Sequence, residues 1–309
     1  MVCSRPYPTR CAELVSHLHL FVLVSINALW GFNFVAGKLG TEEFGPLLFI
    51  TLRFAVVMIL LTAFIRWVPG QMLRILAIGL CLGVGHYAFI FWGIHIAGSL
   101  SAVAITSQLT VPLTTILAIL FLHERIGRTR AFAIAISFAG VVLLGFEPVG
   151  PEHLLALVLT TIASLAMAVA TIMIRTLNQV AIFNLQAWIA LIATVSMSLI
   201  TWVEEKPTIN ELFVIPLTSY WTVVYSAVGA TIIGHGLLYY LLRRYPVNNV
   251  APFITLSTLF AMGFGVLFLD DVLTPRIIAG GLLTLLGVTI VAIRNAGTNT
   301  PVSISRTTH

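Results

Sequence analysis

Arg53 is the residue hardest to explain as filler. It is the one charge in the apolar run from Leu47 to Ile65, about seven residues in, or roughly 10 Å of helix at 1.5 Å per residue. A guanidinium at that depth needs a partner, because hydrocarbon offers it none. Its planar fork suits a carboxylate, so the partner is either Glu42 or Glu43 just upstream or a carboxylate on a bound substrate. Gly85-His86 and Gly234-His235 come next. Each pair sits near the middle of an apolar run and is followed by aromatics, Tyr87 and Trp92 in the first, Tyr239 and Tyr240 in the second. An imidazole there can bind a guest or carry a proton; the plainer reading is a satisfied hydrogen-bonder joining two helices.

Asn27, Trp30, Phe34 and Lys38 fall within about 80° of one another on a helix, with Asn33 and Gly37 on the flank. This mixed stripe reads either as a cavity wall or as helix packing with asparagine as glue. Lys38, near the run's end, is expected to snorkel to the interface. Thr106, Ser107, Gln108 and Thr110 precede Pro112, and Thr255, Ser257 and Thr258 follow Pro252. Prolines beside hydroxyls predict kinked helices whose freed carbonyls find new donors. Gly79 and Gly83 read as a packing pair. All eleven acidic residues fall in tails, loops or span ends, so a carboxylate proton relay deep in the membrane is absent from the inventory. Cys3, Cys11 and Cys81 lack paired or ligand spacing and read as free thiols. Neither a metal site nor a cofactor is expected, and no paired nucleophile and base suggest an enzyme.

The elements that must hold these groups follow from composition. Of 309 residues, 59% are hydrophobic and 9% charged, with a mean hydropathy of +1.04; soluble domains carry roughly 25% charge. Lipid solvates this chain, and its backbone polar groups are satisfied inside helices. Spans of about 20 residues are expected near 20 to 39, 47 to 65, 73 to 96, 100 to 122, 130 to 146, 154 to 175, 183 to 202, 219 to 242, 248 to 269 and 277 to 293. The polar start with Arg5 and Arg10 could open a signal peptide, but the run after it, Leu20 to Leu39, is too long and carries Trp30 and Asn33.

The net charge of +5 belongs to loops rather than to a nucleic-acid surface. Ten crossings put Arg5, Arg10, Arg66, Arg74, Arg125, Arg128, Arg130, Arg175, Arg243, Arg244, Arg294 and Arg306 on one side. Lys206 and Arg276 lie on the other, with Glu42, Glu43, Glu147, Glu152, Glu204, Glu205, Glu211, Asp270 and Asp271. The positive-inside rule then makes both termini cytoplasmic. Leu120-Phe121-Leu122-His123-Glu124-Arg125-Ile126 returns 147 positions later as Leu267-Phe268-Leu269-Asp270-Asp271-Val272-Leu273, and the apolar runs after them reach Gly140 and Gly287. A fixed internal period signals duplication, and five spans per copy invert the second copy. The expected plan is an all-α membrane protein of ten transmembrane helices in two inverted five-helix repeats. Its parts are a cytoplasmic tail at 1–19, repeats at 20–146 and 154–293, a periplasmic linker at 147–153 and a cytoplasmic tail at 294–309.

Leu29-Trp30-Gly31-Phe32-Asn33-Phe34, Leu52-Arg53-Phe54, the His123-Glu124-Arg125 turn and the duplicated plan resemble the EamA-type family of the drug/metabolite transporter superfamily, from about Val22 to Arg294. The resemblance implies a multi-pass carrier of the inner (plasma) membrane that exports small metabolites, often amino acids. Its cavity is lined by helices one to four and six to nine, with five and ten peripheral. The chain departs from the pattern at Asp271-Val272, where Glu-Arg is common, and at Ser164-Leu165-Ala166, where a tryptophan is frequent. The expected substrate contacts are Trp30, Asn33, Arg53, His86, Tyr87, Trp92, Gln108, His235 and Tyr239. The expected partners are a small-molecule substrate, the lipid bilayer and, if a histidine couples transport, protons. Sugar phosphates or drug-like compounds are the alternative cargo; a membrane enzyme or scaffold is the alternative class. Oligomeric state is not written in these residues.

Overall fold

The computed structural model describes residues 17–123, 126–147, 151–206, 214–245 and 250–298; the expected terminal tails and the Glu124-Arg125 turn lie largely outside them. The described residues form ten helical rods without a strand. The first five are His17–Phe44 (α1), Pro46–Leu61 (α2), Met72–Ile96 (α3), Leu100–Leu122 (α4) and Arg128–Leu144 (α5). The next five are Pro151–Arg175 (α6), Ile182–Glu204 (α7), Leu217–Leu242 (α8, whose last turn reaches Arg244), Phe253–Leu269 (α9) and Pro275–Thr298 (α10). Helices stand at all ten expected positions, and eight are long and apolar enough to cross a membrane. The other two fall short for local reasons. α5 has 17 residues and opens on Arg128 and Arg130, while the chain ahead of α9 is a 3-10 turn, Ala251–Thr255, built around Pro252.

The proline kink in α4 takes the expected form. The helix breaks after Ser107 and resumes at Thr110. Pro112 has no N–H for the Gln108 carbonyl, which accepts instead from the Val111 amide at 3.1 Å. α4 and α9 end alike, on His123 (φ 54°) and Asp270 (φ 53°), both left-handed and 147 positions apart. Sequence pattern gave no hint of two wide turns. Cys81–His86 in α3 and Tyr225–Gly234 in α8 are π-helical, and each runs up to or into a Gly-His pair. Their residues are mostly small or apolar, with His86, Ser226 and Thr231 as polar marks, so an extra residue per turn leaves no clear periodic trace.

Packing joins α5 to α10, α2 to α7, α1 to α9 and α8, and α6 to α3 and α4. The backbone of Gly140 lies against Gly280 and Thr284, and that of Gly287 against Ala133 and Ser137, so α5 and α10 cross antiparallel. At one end of the bundle Arg66 meets Asn184, Arg74 meets Thr176 and Arg130 bonds the Arg294 carbonyl; this is the basic end. At the opposite, acidic end, Glu205 accepts from the Leu47 and Leu48 amides, both at 2.8 Å, and Asp271 from the Ser101 amide at 2.7 Å. These carboxylates from the second half cap α2 and α4, whose first-turn amides lack partners within their own helix. α1 runs past its expected end at residue 39 because Glu42 and Glu43 are exposed and cost nothing to continue.

Two tests follow from these contacts. Gly287→Val pushes a side chain into the Ala133 carbonyl and is expected to lower the thermal midpoint in detergent by an amount worth ~1–3 kcal/mol. Gly263→Ala, where an added methyl meets nothing within 4 Å, is expected to be neutral or stabilising by up to ~1 kcal/mol. Equal melting of both variants would break the close-crossing argument. Burial pushes the Glu205 carboxyl above its ordinary value, against the pull of the Leu47 and Leu48 amides. The folded state therefore holds that proton more tightly than the unfolded one, and stability present at low pH is lost as pH rises through the raised value. Melting of Glu205→Gln across that range should lack this loss.

Candidate transport site

Arg53 is 2% exposed, in the middle of α2. Nη2 donates to Thr231 Oγ1 of α8 at 2.8 Å. The guanidinium carbon lies 4.6 Å from the Tyr87 ring centre and 5.3 Å from that of Phe91, both on α3, so the cation sits on aromatic faces. Nε and Nη1 are buried without an acceptor. The expected partners Glu42 and Glu43 do not reach it. Glu42 pairs with Lys38 at 3.3 Å, the one ion pair among the described residues. Lys38 extends to the acidic end, where its Nζ also donates to the His95 carbonyl at 2.7 Å and the Ala97 carbonyl at 3.3 Å. The last carbonyls of α3 lack helical donors, and an ammonium satisfies them at low cost.

Both histidines flank this cation. His86 donates from Nδ1 to the Ala163 carbonyl of α6 at 2.9 Å, and its ring meets Tyr87 edge-on at 4.8 Å. His235 Nδ1 lies 3.1 Å from the Thr231 carbonyl and 3.2 Å from the Ala230 carbonyl. A carbonyl only accepts, so Nδ1 carries the hydrogen in each ring, which leaves Nε2 as the atom that could take or give a proton. Among the described residues neither Nε2 has a hydrogen-bond partner. Trp30 lies against His235, ring centres 5.3 Å apart, and donates from Nε1 to the Ala230 carbonyl at 3.0 Å. His86, Tyr87, Arg53, Thr231, His235 and Trp30 therefore form one connected chain of contacts across α3, α2, α8 and α1.

The two halves build this region unequally. Gly234 gives its missing side chain to the Trp30 indole, whereas Gly85 faces Ala166, whose Cβ would lie 3.1 Å from a Cβ on the glycine. Where the first half supplies an indole, the second supplies a methyl, as the Ser164-Leu165-Ala166 departure implied.

The remaining expected contacts scatter. Asn33 Oδ1 is buried without a partner, one turn above Trp30. Gln108 is spent on Thr258 Oγ1, tying the α4 break to α9. Trp92 is 41% exposed and makes none of the ring contacts that join Tyr87, Phe91 and Arg53. The side chain of Tyr239 lies outside the described residues. Sequence reasoning missed Thr231 and Phe91; the available signal was Thr231 one turn before His235, on the same face. Asn27 proves to be glue: it donates to the Leu23 carbonyl and accepts from the Ser257 amide at the start of α9. Gly79 and Gly83 pack against Ile192 and Ala193 of α7. Among the described residues no cluster of three metal-binding side chains occurs.

Comparison with known proteins places these features. A probable amino-acid metabolite efflux pump of Salmonella typhimurium is 27% identical over 278 residues, covering 87% of this chain and 93% of that protein. One of the same description from Escherichia coli is 27% identical over 273 residues, covering 86% and 91%. A solved crystal structure superposes with a TM-score of 0.61 at 16% identity, over 90% of this chain and 98% of that one, a likeness of fold. The sequence pattern of the EamA-like transporter family matches residues 18–146 and 152–293, so this multi-span membrane protein belongs to the EamA-like transporter family.

Proposed function

We propose that the chain is a secondary carrier of the inner membrane that exports small metabolites, amino acids or related zwitterions, by alternating access. The observation that carries this reading is Arg53, buried with two nitrogens unmatched and, among the described residues, no carboxylate in reach. A substrate carboxylate supplies the missing acceptor, with a charge-assisted bond roughly twice as strong as a neutral one. Its ammonium is served by the faces of Trp30 and Tyr87 and by carbonyls at the wide turns. A cationic drug meets Arg53 as a like charge. The printed descriptions of the two efflux pumps support export of amino-acid metabolites.

Alternating access needs two halves that rock about a shared site. The two stretches of the family match and the reciprocal α5–α10 crossing support an inverted repeat, with the basic end and both termini in the cytoplasm. An empty site holds a cation without a counter-ion, while a bound zwitterion pairs that cation with its carboxylate and leaves the net charge of the site unchanged. Loading therefore satisfies the guanidinium nitrogens that stay unmatched in the empty site.

Arg53→Gln is expected to cut amino-acid flux from proteoliposomes by at least about 30-fold, the loss of ~2 kcal/mol or more that follows truncation of a buried charge partner. Its yield and melting should stay near wild type; unchanged flux removes Arg53 from the site. Because Nε2 of each histidine is the atom that could take or give a proton, the double variant His86→Gln, His235→Gln is expected to lose acceleration by a pH gradient while keeping substrate exchange at equal pH. Full gradient response in that variant would exclude both as proton carriers.

A further inference from the structure

A cavity of about 480 Å³ opens at the basic end between α2, α7 and α8 and is lined by residues that include Phe64, Arg66, Phe183, Asn184, Gly236 and Tyr240. Arg66 lies thirteen residues past Arg53, roughly 20 Å along the chain at helical rise, so this space is not the Arg53 site. Its wall is held rigidly. The Arg66 amide donates to Asn184 Oδ1 at 2.9 Å, and its carbonyl accepts from Asn184 Nδ2 at 3.1 Å and Trp188 Nε1 at 3.0 Å. With the backbone so fixed, the Arg66 side chain stays exposed. Arg244 is exposed as well, its guanidinium carbon 4.4 Å from the ring centre of Tyr240. Neither arginine has a carboxylate within 4.0 Å among the described residues.

The rim faces outward. Phe64 is 47%, Tyr240 42% and Trp67 70% exposed, and Trp67 meets Trp188 edge-on at 6.3 Å. In a chain solvated by lipid, exposed tryptophan and tyrosine beside arginine mark the level of the headgroups. Two unpaired cations above an apolar wall therefore face phosphate rather than water alone. We propose that this cavity binds an anionic phospholipid, with its phosphate between Arg66 and Arg244 and an acyl chain along Phe64 and Phe183. Phosphatidylcholine presents its own cation to the same arginines and binds less well. The site sits where α2, α7 and α8 meet, so an occupant bridges the two halves at their basic end. The assignment stands on the cavity and its cations and holds whatever the chain transports.

The test is native mass spectrometry of the full-length protein in detergent, titrated with phosphatidylglycerol, with phosphatidylcholine of the same acyl chains, or with inorganic phosphate. Wild type is expected to retain phosphatidylglycerol in preference to phosphatidylcholine. Arg66→Gln with Arg244→Gln should weaken that retention about 30-fold, from roughly a tenfold or smaller contribution per arginine near an anionic headgroup. Arg66→Lys with Arg244→Lys, which keeps both charges, should stay within a few-fold of wild type and controls for folding. Equal retention of the two lipids, or undiminished phosphatidylglycerol binding in the glutamine pair, would overturn the proposal. So would inorganic phosphate binding as tightly as the lipid, which would make this a soluble-anion site.

Discussion

A guanidinium that is 2% exposed in a chain dissolved in lipid has to be stabilised by whatever the neighbouring helices bring, and at Arg53 they bring very little formal charge. Thr231 supplies an oxygen, Tyr87 and Phe91 supply ring faces, and the rest of the hydrogen-bonding capacity goes unused. A fixed structural ion pair would have closed that account permanently, as Lys38 and Glu42 do at the acidic end. Leaving it open costs stability, and proteins carry such costs where a ligand later relieves them. The arrangement of α2, α3 and α8 makes sense as a frame that keeps one cation dry and available.

The wide turns belong to the same logic. π-helical segments concentrate at functional places because they loosen the regular ladder of carbonyls and amides. In α8 the loosened region includes Ala230 and Thr231, whose carbonyls receive Trp30 and His235. In α3 it ends at His86, which reaches out to α6 instead. The histidines thus occupy similar stations but are anchored differently, one within its own helix and one across a seam. The surroundings of the two Gly-His pairs differ as well, with the indole of Trp30 against Gly234 and only Ala166 against Gly85.

Much of this was legible in the residues. Apolar runs between glycine, proline and charge located all ten helices, because lipid leaves no other way to satisfy the backbone. The 147-residue period put two helix ends and the glycines Gly140 and Gly287 at equivalent places; the left-handed backbone at His123 and Asp270 and the contacts of those glycines came from the structure. Arg53, His86, Tyr87, His235 and Trp30 stood out by chemistry alone and are brought together. What pattern could not give was direction. Lys38 lay close enough to the interface to snorkel, and only the end of α3 explains why its ammonium settles on the His95 and Ala97 carbonyls. Gln108 and Trp92 were placed by depth, which says nothing of azimuth when a helix is apolar on every side. Thr231 was easy to pass over because a threonine in a membrane helix usually bonds its own backbone, as Thr160 and Thr171 do here and as Thr231 does toward the Ser226 carbonyl, so only its spacing from His235 marked it.

The crossing of α5 and α10 has a mechanical meaning. Gly140 and Gly287 each press on the other helix's backbone or first side-chain atoms, and the contacts read the same from either partner. Sliding one rod along the other by a single residue would drive a methyl or a carbonyl into space that only hydrogen fills. The pair therefore resists axial sliding, and the contact fixes the register of one helix against the other.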